Sequence, residues 1–245
     1  MNKGCIFVAV AMEVEIKVLL DKLDNLTMVE KYGFTLYEGK INDRDIVVML
    51  TGVGVINASS GVMMGIMEYS PSVVINYGIA GAISKDIHTK DIMVGSIVVN
   101  INSYRTAELR EGEGSNPDDW ELLTFLSGQP DRYIEYSADD WLLGLSKEVK
   151  YDNGSVIYAK IGSGDVWNRE VDRMLFLNRE YGVLAEDMES VSIYQLCNRL
   201  NIPVISIKII SDNGLIGEDY DRNVGVYLQD YIYSYLRLVS EKKIS

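Results

Sequence analysis

The strongest constraint on this chain comes from short runs that are apolar on both faces: VVIN at 73–76, SIVV at 96–99 and VISIKII at 204–210. A strand exposed on one face alternates apolar and polar residues. Strands like these belong in a sheet covered on both sides by helices. Further strand-like runs occupy 4–11, 155–163 and 182–186, and 34–41 with 44–51 reads as a hairpin turning at Asn42-Asp43. Helical patterns at 13–24, 55–69, 168–180, 189–201 and 222–241 alternate with the strands. The expected architecture is a single α/β domain over 1–245, with a central mixed, twisted sheet flanked by helices on both faces. Residues 108–140 are acidic, contain Gly and Pro, and show little periodicity, so a divergent insertion is expected at about 103–154.

Composition narrows the function classes. The formal charge of −13 disfavours nucleic acid and anionic membranes as partners. The single histidine, His88, speaks against a His-rich metal site or a His-based triad, and no metal or cofactor is expected. Two cysteines, Cys5 and Cys197, imply no disulfide framework and fit a cytoplasmic protein. No apolar run reaches the roughly 20 residues of a membrane span. GCIFVAVAM after Lys3 resembles the apolar part of a signal peptide but reads better as a buried first strand running directly into Glu13 and Glu15.

Gly or acidic residues gather at the ends of these strands, where open α/β sheets place ligands. They are AMEVE at 11–15, TGVG at 51–54, NYGIAGA at 76–82, SGD at 163–165, EDME at 186–189 and SDN at 211–213. Singly they are weak signals. No full GxGxxG and no phosphate-loop lysine is present, so a dinucleotide or ATP site is not supported. A carboxylate at a helix start is commonly a cap or a dipole partner.

In this order and spacing the segments resemble the nucleoside phosphorylase superfamily, and within it the 5′-methylthioadenosine/S-adenosylhomocysteine nucleosidases. The resemblance covers about 4–102 and 155–238 and is carried by VAVAMEVEIKVLL, TGVGVINASSGVMMGI, PSVVINYGIAGAIS, VGSIVV, SGDVW and, most diagnostically, EDMES with IPVISIKIISD. It implies hydrolysis of the N-glycosidic bond of an adenine nucleoside by water. It also implies roles for individual residues. Asp212 would be the general acid toward the leaving base, with Ser211 orienting its carboxyl. Glu15 would be the general base for water, and Glu189 would bind a ribose hydroxyl. Met188 would pack on the sugar, and Lys208 would help hold the water. Trp167 would stack on the base, whose edge the Asn168 backbone would bond. Partners implied are a purine nucleoside, water and a second copy of the chain, the last suggested by the Met- and small-residue-rich helix at 55–69.

Two departures stand out. Ile79 occupies a position where the nucleosidases usually carry Ser or Thr, which is expected to weaken hydrolysis or alter sugar recognition. Asn76 occupies the place where the phosphorylases carry a phosphate-binding Arg, which favours water as nucleophile. The alternatives are a phosphate-dependent purine nucleoside phosphorylase, and a nucleoside-binding protein with an eroded site.

Overall fold

The computed structural model describes residues 4–114, 116–123 and 134–242. Strand β1 (Ile6–Val10) is wholly buried and lies between β4 (Arg44–Leu50) and β5 (Val73–Ala82), parallel to both. On the other side of β5 runs β12 (Val204–Asp212), also parallel. These four strands therefore all point the same way, and their C-terminal ends form one rim.

The sheet continues from β12 to β6 (Ile92–Asn100), which is antiparallel to it, then to β10 (Val156–Ser163) and β11 (Val183–Asp187). At its tip β11 bonds back to β5, with Ala185 opposite Ala82 and Glu186 opposite Gly81. Strands β5, β12, β6, β10 and β11 thus close into a ring, and β1, β4, β3 (Phe34–Ile41) and β2 (Asp24–Lys31) extend it as an open sheet. Helices cover both faces: α2 (Val55–Tyr69) packs with α5 (Ser190–Leu200), and α6 (Gly225–Glu241) packs with α1 (Lys17–Leu20) and α3 (Asp140–Ser146). Helix α4 (Val171–Tyr181) precedes β11 and ends at Gly182 in the left-handed conformation, a common helix stop. No helix among the described residues is long and apolar enough to cross a membrane.

The hairpin forms at Asn42-Asp43 as expected, with both residues at positive φ, as a two-residue hairpin turn requires. The helix expected at 13–24 is corrected. Only a 3-10 turn (Glu13–Glu15) and the single turn of α1 form there, and the chain then enters β2, an edge strand of mostly exposed residues. Edge pairing with β3 accounts for that strand, and its sequence, DNLTMVEK, carries no core-facing period.

The segment at 103–154 holds more order than its composition suggests. β7 (Tyr104–Arg105) and β8 (Glu121–Leu122) form a small separate sheet, β9 (Glu135–Ser137) pairs with β6, and Asp139 caps α3 by accepting from the Leu142 N–H at 3.0 Å. The part of the expected insertion at 124–133 lies outside the described residues.

Close approach of α2 to the sheet depends on Gly65, where an added Cβ would stand 2.2 Å from Cζ of the fully buried Phe7. Gly65→Ala is expected to lower stability by about 1–3 kcal/mol through overpacking, although alanine is the better helix former. Urea unfolding of the variant beside the parent measures this.

Candidate active site

The rim of parallel strand ends encloses one cleft. Among the residues lining it are Met12, Glu15, Ile79, Trp167, Asn168, Met188, Glu189, Ser211 and Asp212, with Glu186, Asp187 and Tyr220. Every side chain expected at the site lines it except Lys208, which lies beneath the floor.

Glu15 sits in the 3-10 turn after β1 and is 1% exposed. Its two carboxyl oxygens accept from the backbone N–H groups of Met12 and Ile79, each at 2.9 Å, while the Tyr77 hydroxyl donates to its carbonyl at 2.8 Å. The carboxyl is therefore held in one orientation. Burial pushes its pKa up to about 7, against the opposing pull of Lys208 and of the two backbone donors. The nearby cation alone would leave Glu15 firmly ionised, but desolvation outweighs it. Ile79 contributes through its N–H, a contact that any residue but proline could make.

Glu189 occupies the N-cap position of α5 but does not cap the helix with its side chain. Its carboxyl instead accepts from the Gly54 N–H at 3.2 Å and from Lys208 Nζ at 3.3 Å. Gly54 has φ near +100°, and a Cβ there would meet Asp165 Oδ1 at 2.8 Å. Only glycine brings this N–H to Glu189. Asp165 in turn accepts from the Val55 N–H at 2.8 Å, tying the SGD loop to the start of α2.

Lys208 lies on β12, between β5 and β6, and is 1% exposed. Its first partner is Asp187, at 2.9 Å, a residue to which the sequence reading gave no role. Three neighbouring carboxyls, those of Asp187, Glu189 and Glu15, hold the Lys208 ammonium well above its ordinary pKa despite burial. Asp187 also accepts from the Ser190 hydroxyl and backbone N–H, and the Ser206 hydroxyl, 2.7 Å from that of Ser190, donates to Asn76 Oδ1 at 2.9 Å. Asn76 is thus part of a buried hydrogen-bond network under the floor.

Asp212 ends β12. Its Oδ1 accepts from the Ser211 hydroxyl at 2.6 Å. The turn that follows is made by Asn213, whose Oδ1 accepts from the Leu215 N–H at 3.1 Å, so Asp212 is not needed as a turn residue. The β12–β5 register slips between Ile210 and Asp212, a bulge that places Ser211 and Asp212 at the rim beside Ala80 and Gly81. Trp167 is 62% exposed and does not close the core; its ring meets Tyr220 at 5.2 Å with a 57° tilt. The Asn168 side chain, given no role in advance, donates to both Glu186 oxygens at 3.1 and 3.3 Å.

Glu186, Asp187 and Tyr220 are the residues that sequence reasoning missed. The run of three carboxylates in EDME was the available signal for the first two. Tyr220 follows a loop with no strand pattern and gave none.

The profile of the phosphorylase superfamily matches residues 6–228. The chain belongs to the phosphorylase superfamily. It is 33% identical over 207 residues to the 5′-methylthioadenosine/S-adenosylhomocysteine nucleosidase of Maridesulfovibrio salexigens, covering 82% of this chain and 83% of the relative. It is 29% identical over 224 residues to the enzyme of the same name from Oceanobacillus iheyensis, covering 89% and 90%. Among solved structures, the nucleosidase of Colwellia psychrerythraea in complex with adenine superposes with a TM-score of 0.80 at 22% identity, covering 100% of this chain and 99% of the other. The superposition extends over the whole chain and shows that the two share one fold.

Removing the buried cation leaves the carboxyls below the floor uncompensated. Lys208→Met is expected to cost about 3–5 kcal/mol of stability at neutral pH. The remaining carboxyls would have folded-state pKa values above their unfolded values. The folded state then binds more protons, and stability falls as pH rises through the unfolded carboxylate range toward the raised values. Denaturant titrations should find the deficit smaller at pH 5 than at pH 8.

Proposed function

We propose that this protein hydrolyses the N-glycosidic bond of an adenine nucleoside, with 5′-methylthioadenosine or S-adenosylhomocysteine as the substrate type. The observation that carries the reading is the lining of the cleft. It presents the carboxyls of Glu15, Glu186, Asp187, Glu189 and Asp212 and, among the described residues, no Arg or Lys. Carboxyls suit a reaction that passes through a positively charged sugar, whereas a phosphate co-substrate would meet repulsion. The names of the nucleosidase relatives support the same substrate class.

The reaction divides between two carboxyl groups. Asp212, in its acid form, delivers a proton to the purine ring as the bond from the sugar C1′ to the base nitrogen breaks. The bond's electrons leave with the base, which departs neutral. Water adds to C1′ from the opposite side and gives its proton to Glu15. Glu189, anchored by Gly54 and Lys208, is placed to accept from a ribose hydroxyl. Met188 lies against the sugar, and Trp167 with Tyr220 covers the base.

The eroded-site alternative rested on Ile79. That residue holds Glu15 through its backbone, so loss of a side-chain hydroxyl leaves the general base in position. Asn76, bonded beneath the floor, offers nothing to a phosphate, which weighs against the phosphorylase alternative.

We further propose a cytoplasmic homodimer. Both cysteines are free thiols buried in the core. Ile56, Met63 and Met67 of α2 are exposed at 73%, 39% and 74%, an apolar surface suited to a contact between copies. A monomeric mass by light scattering at micromolar concentration would overturn the dimer.

Activity is tested by chromatography of the products from a purine nucleoside panel, with and without phosphate. Free base and free sugar are expected irrespective of phosphate; sugar 1-phosphate would establish the phosphorylase instead. Asp212→Asn should lower kcat by about 10²–10⁴-fold, because an amide cannot supply the proton. Glu15 must be ionised to accept a proton, so kcat/KM should fall about tenfold per unit as pH drops below about 7. This limb should be absent from the residual activity of Glu15→Gln.

A further inference from the structure

Glu186 is a carboxyl-bearing residue on the cleft wall with no ion-pair partner among the described residues. Its hydrogen-bond partner there is the Asn168 amide. Arg173 of α4 acts on it only through its field, the guanidinium itself donating to the Pro117 carbonyl at 3.2 Å. A carboxylate can accept about four hydrogen bonds, so half-buried Glu186 keeps acceptor capacity toward the cleft. That capacity is open to a group bound in the cleft.

The sheet register says which part of a bound nucleoside that is. Gly81 of β5 lies opposite Asp212 on one side and opposite Glu186 on the other. The two carboxyl-bearing residues are therefore two strand spacings apart, about 9–10 Å along the floor. Gly81 raises no side chain between them; an added Cβ would already sit 3.4 Å from Asp212 Oδ2. A flat ring system whose five-membered ring meets Asp212 turns its six-membered ring toward Glu186.

The amide beside Glu186 has a fixed direction. Asn168 Oδ1 accepts from the Glu170 N–H at 3.1 Å, so Nδ2 faces the carboxyl. One of its hydrogens serves Glu186, and the second is available as a donor at the same edge. With Glu186 ionised, this edge presents an acceptor next to a donor. A 6-oxopurine presents the complement, N1–H next to the O6 acceptor. Adenine presents the reverse, a bare N1 next to an amino group.

We propose that Glu186 and Asn168 read the six-membered ring of the base, and that through them the cleft takes 6-oxopurine nucleosides as well as adenine nucleosides. Glu186 selects between the two by its protonation state. The acid form donates its O–H to adenine N1 and accepts from the amino group. The ionised form accepts from N1–H of a 6-oxopurine while Asn168 donates to O6. Burial pushes Glu186 up to about 7, with the Asn168 amide and the Arg173 charge pulling the other way, so both forms are populated near neutrality. Asp212, across Gly81, is the other carboxyl-bearing residue facing the same ring.

This proposal rests on the nucleoside reading of the cleft, and its test separates the two. The kcat/KM values of 5′-methylthioadenosine and of its 6-oxo counterpart, 5′-methylthioinosine, are measured from pH 5.5 to 8.5. Glu15 and Asp212 act on both substrates alike and cancel in the ratio. The 6-oxo to 6-amino ratio is expected to rise with pH, by up to about tenfold per unit, in the parent. It should become flat in Glu186→Gln, which keeps the shape and the Asn168 contact, and in Glu186→Leu. A ratio independent of pH in the parent, or one that keeps its slope in both variants, overturns the base-reading role.

Binding of free hypoxanthine and free adenine by calorimetry at the same pH values gives a readout that needs no turnover. The same pH-dependent ratio, lost in both variants, is expected; a ratio that does not respond to pH or to Glu186 again overturns the proposal. Absence of cleavage together with the expected binding pattern would overturn the hydrolase reading and leave the base-reading pair standing.

Discussion

The site is organised around one buried ammonium. Lys208 projects from the middle of a central strand into a region with almost no access to water, where an isolated cation would be strongly disfavoured. It is retained as a charge because Asp187, Glu189 and Glu15 surround it. The dependence is mutual. Asp187 has its Lys208 contact and its Ser190 bonds at the start of α5, and Glu189 reaches from the same helix start to the loop at Gly54. One cation thus connects the central strand, the entry to α5 and the loop before α2. The balance is incomplete, since three carboxyls share a single positive charge. Burial, helped by the neighbouring charge of Glu189, pushes Glu15 up to about 7 against the pull of Lys208.

Much of this was legible before any coordinates. Strands apolar on both faces could lie only in a covered sheet, and VISIKII does so. Its Lys208 is the one charge in that run, and the carboxyls of Asp187 and Glu189 gather on it. The Gly-containing and acidic segments at strand ends could be expected to converge, because parallel strands bring their C-terminal ends to one rim. For two residues the contacts weigh against a purely local explanation. Asn213 makes the turn that follows Asp212, and Glu189 reaches Gly54 and Lys208 while Asp187 and Ser163 accept from the first N–H groups of α5.

What was not legible depends on register and on distant contacts. DNLTMVEK forms a strand only because β3 offers it an edge; alone it has no period to read. The helical reading of 13–24 failed because local spacing cannot tell that the chain turns after Leu20 to pair with that hairpin. The bulge at Ser211 shifts a strand by one residue and thereby sets where Asp212 stands, yet SDN looks like any loop tripeptide. Glu186 and Asn168 lie far enough apart in sequence that neither predicts the other. Their association follows from how β11 and the segment after β10 meet at the cleft.

The antiparallel contact of β11 with β5 has a consequence of a different kind. By bonding back to β5, β11 leaves the ring beneath the cleft without a free edge at its tip. An open sheet can accommodate a larger guest by splaying or slipping a border strand, whereas a closed one would have to break a ladder to do so. The floor at Gly81 is therefore a template of fixed width. Divergence in what such a protein accepts is thereby directed to substitutions in place and to those loops that do not anchor the carboxyls, since the loop at Gly54 is itself bonded to Glu189.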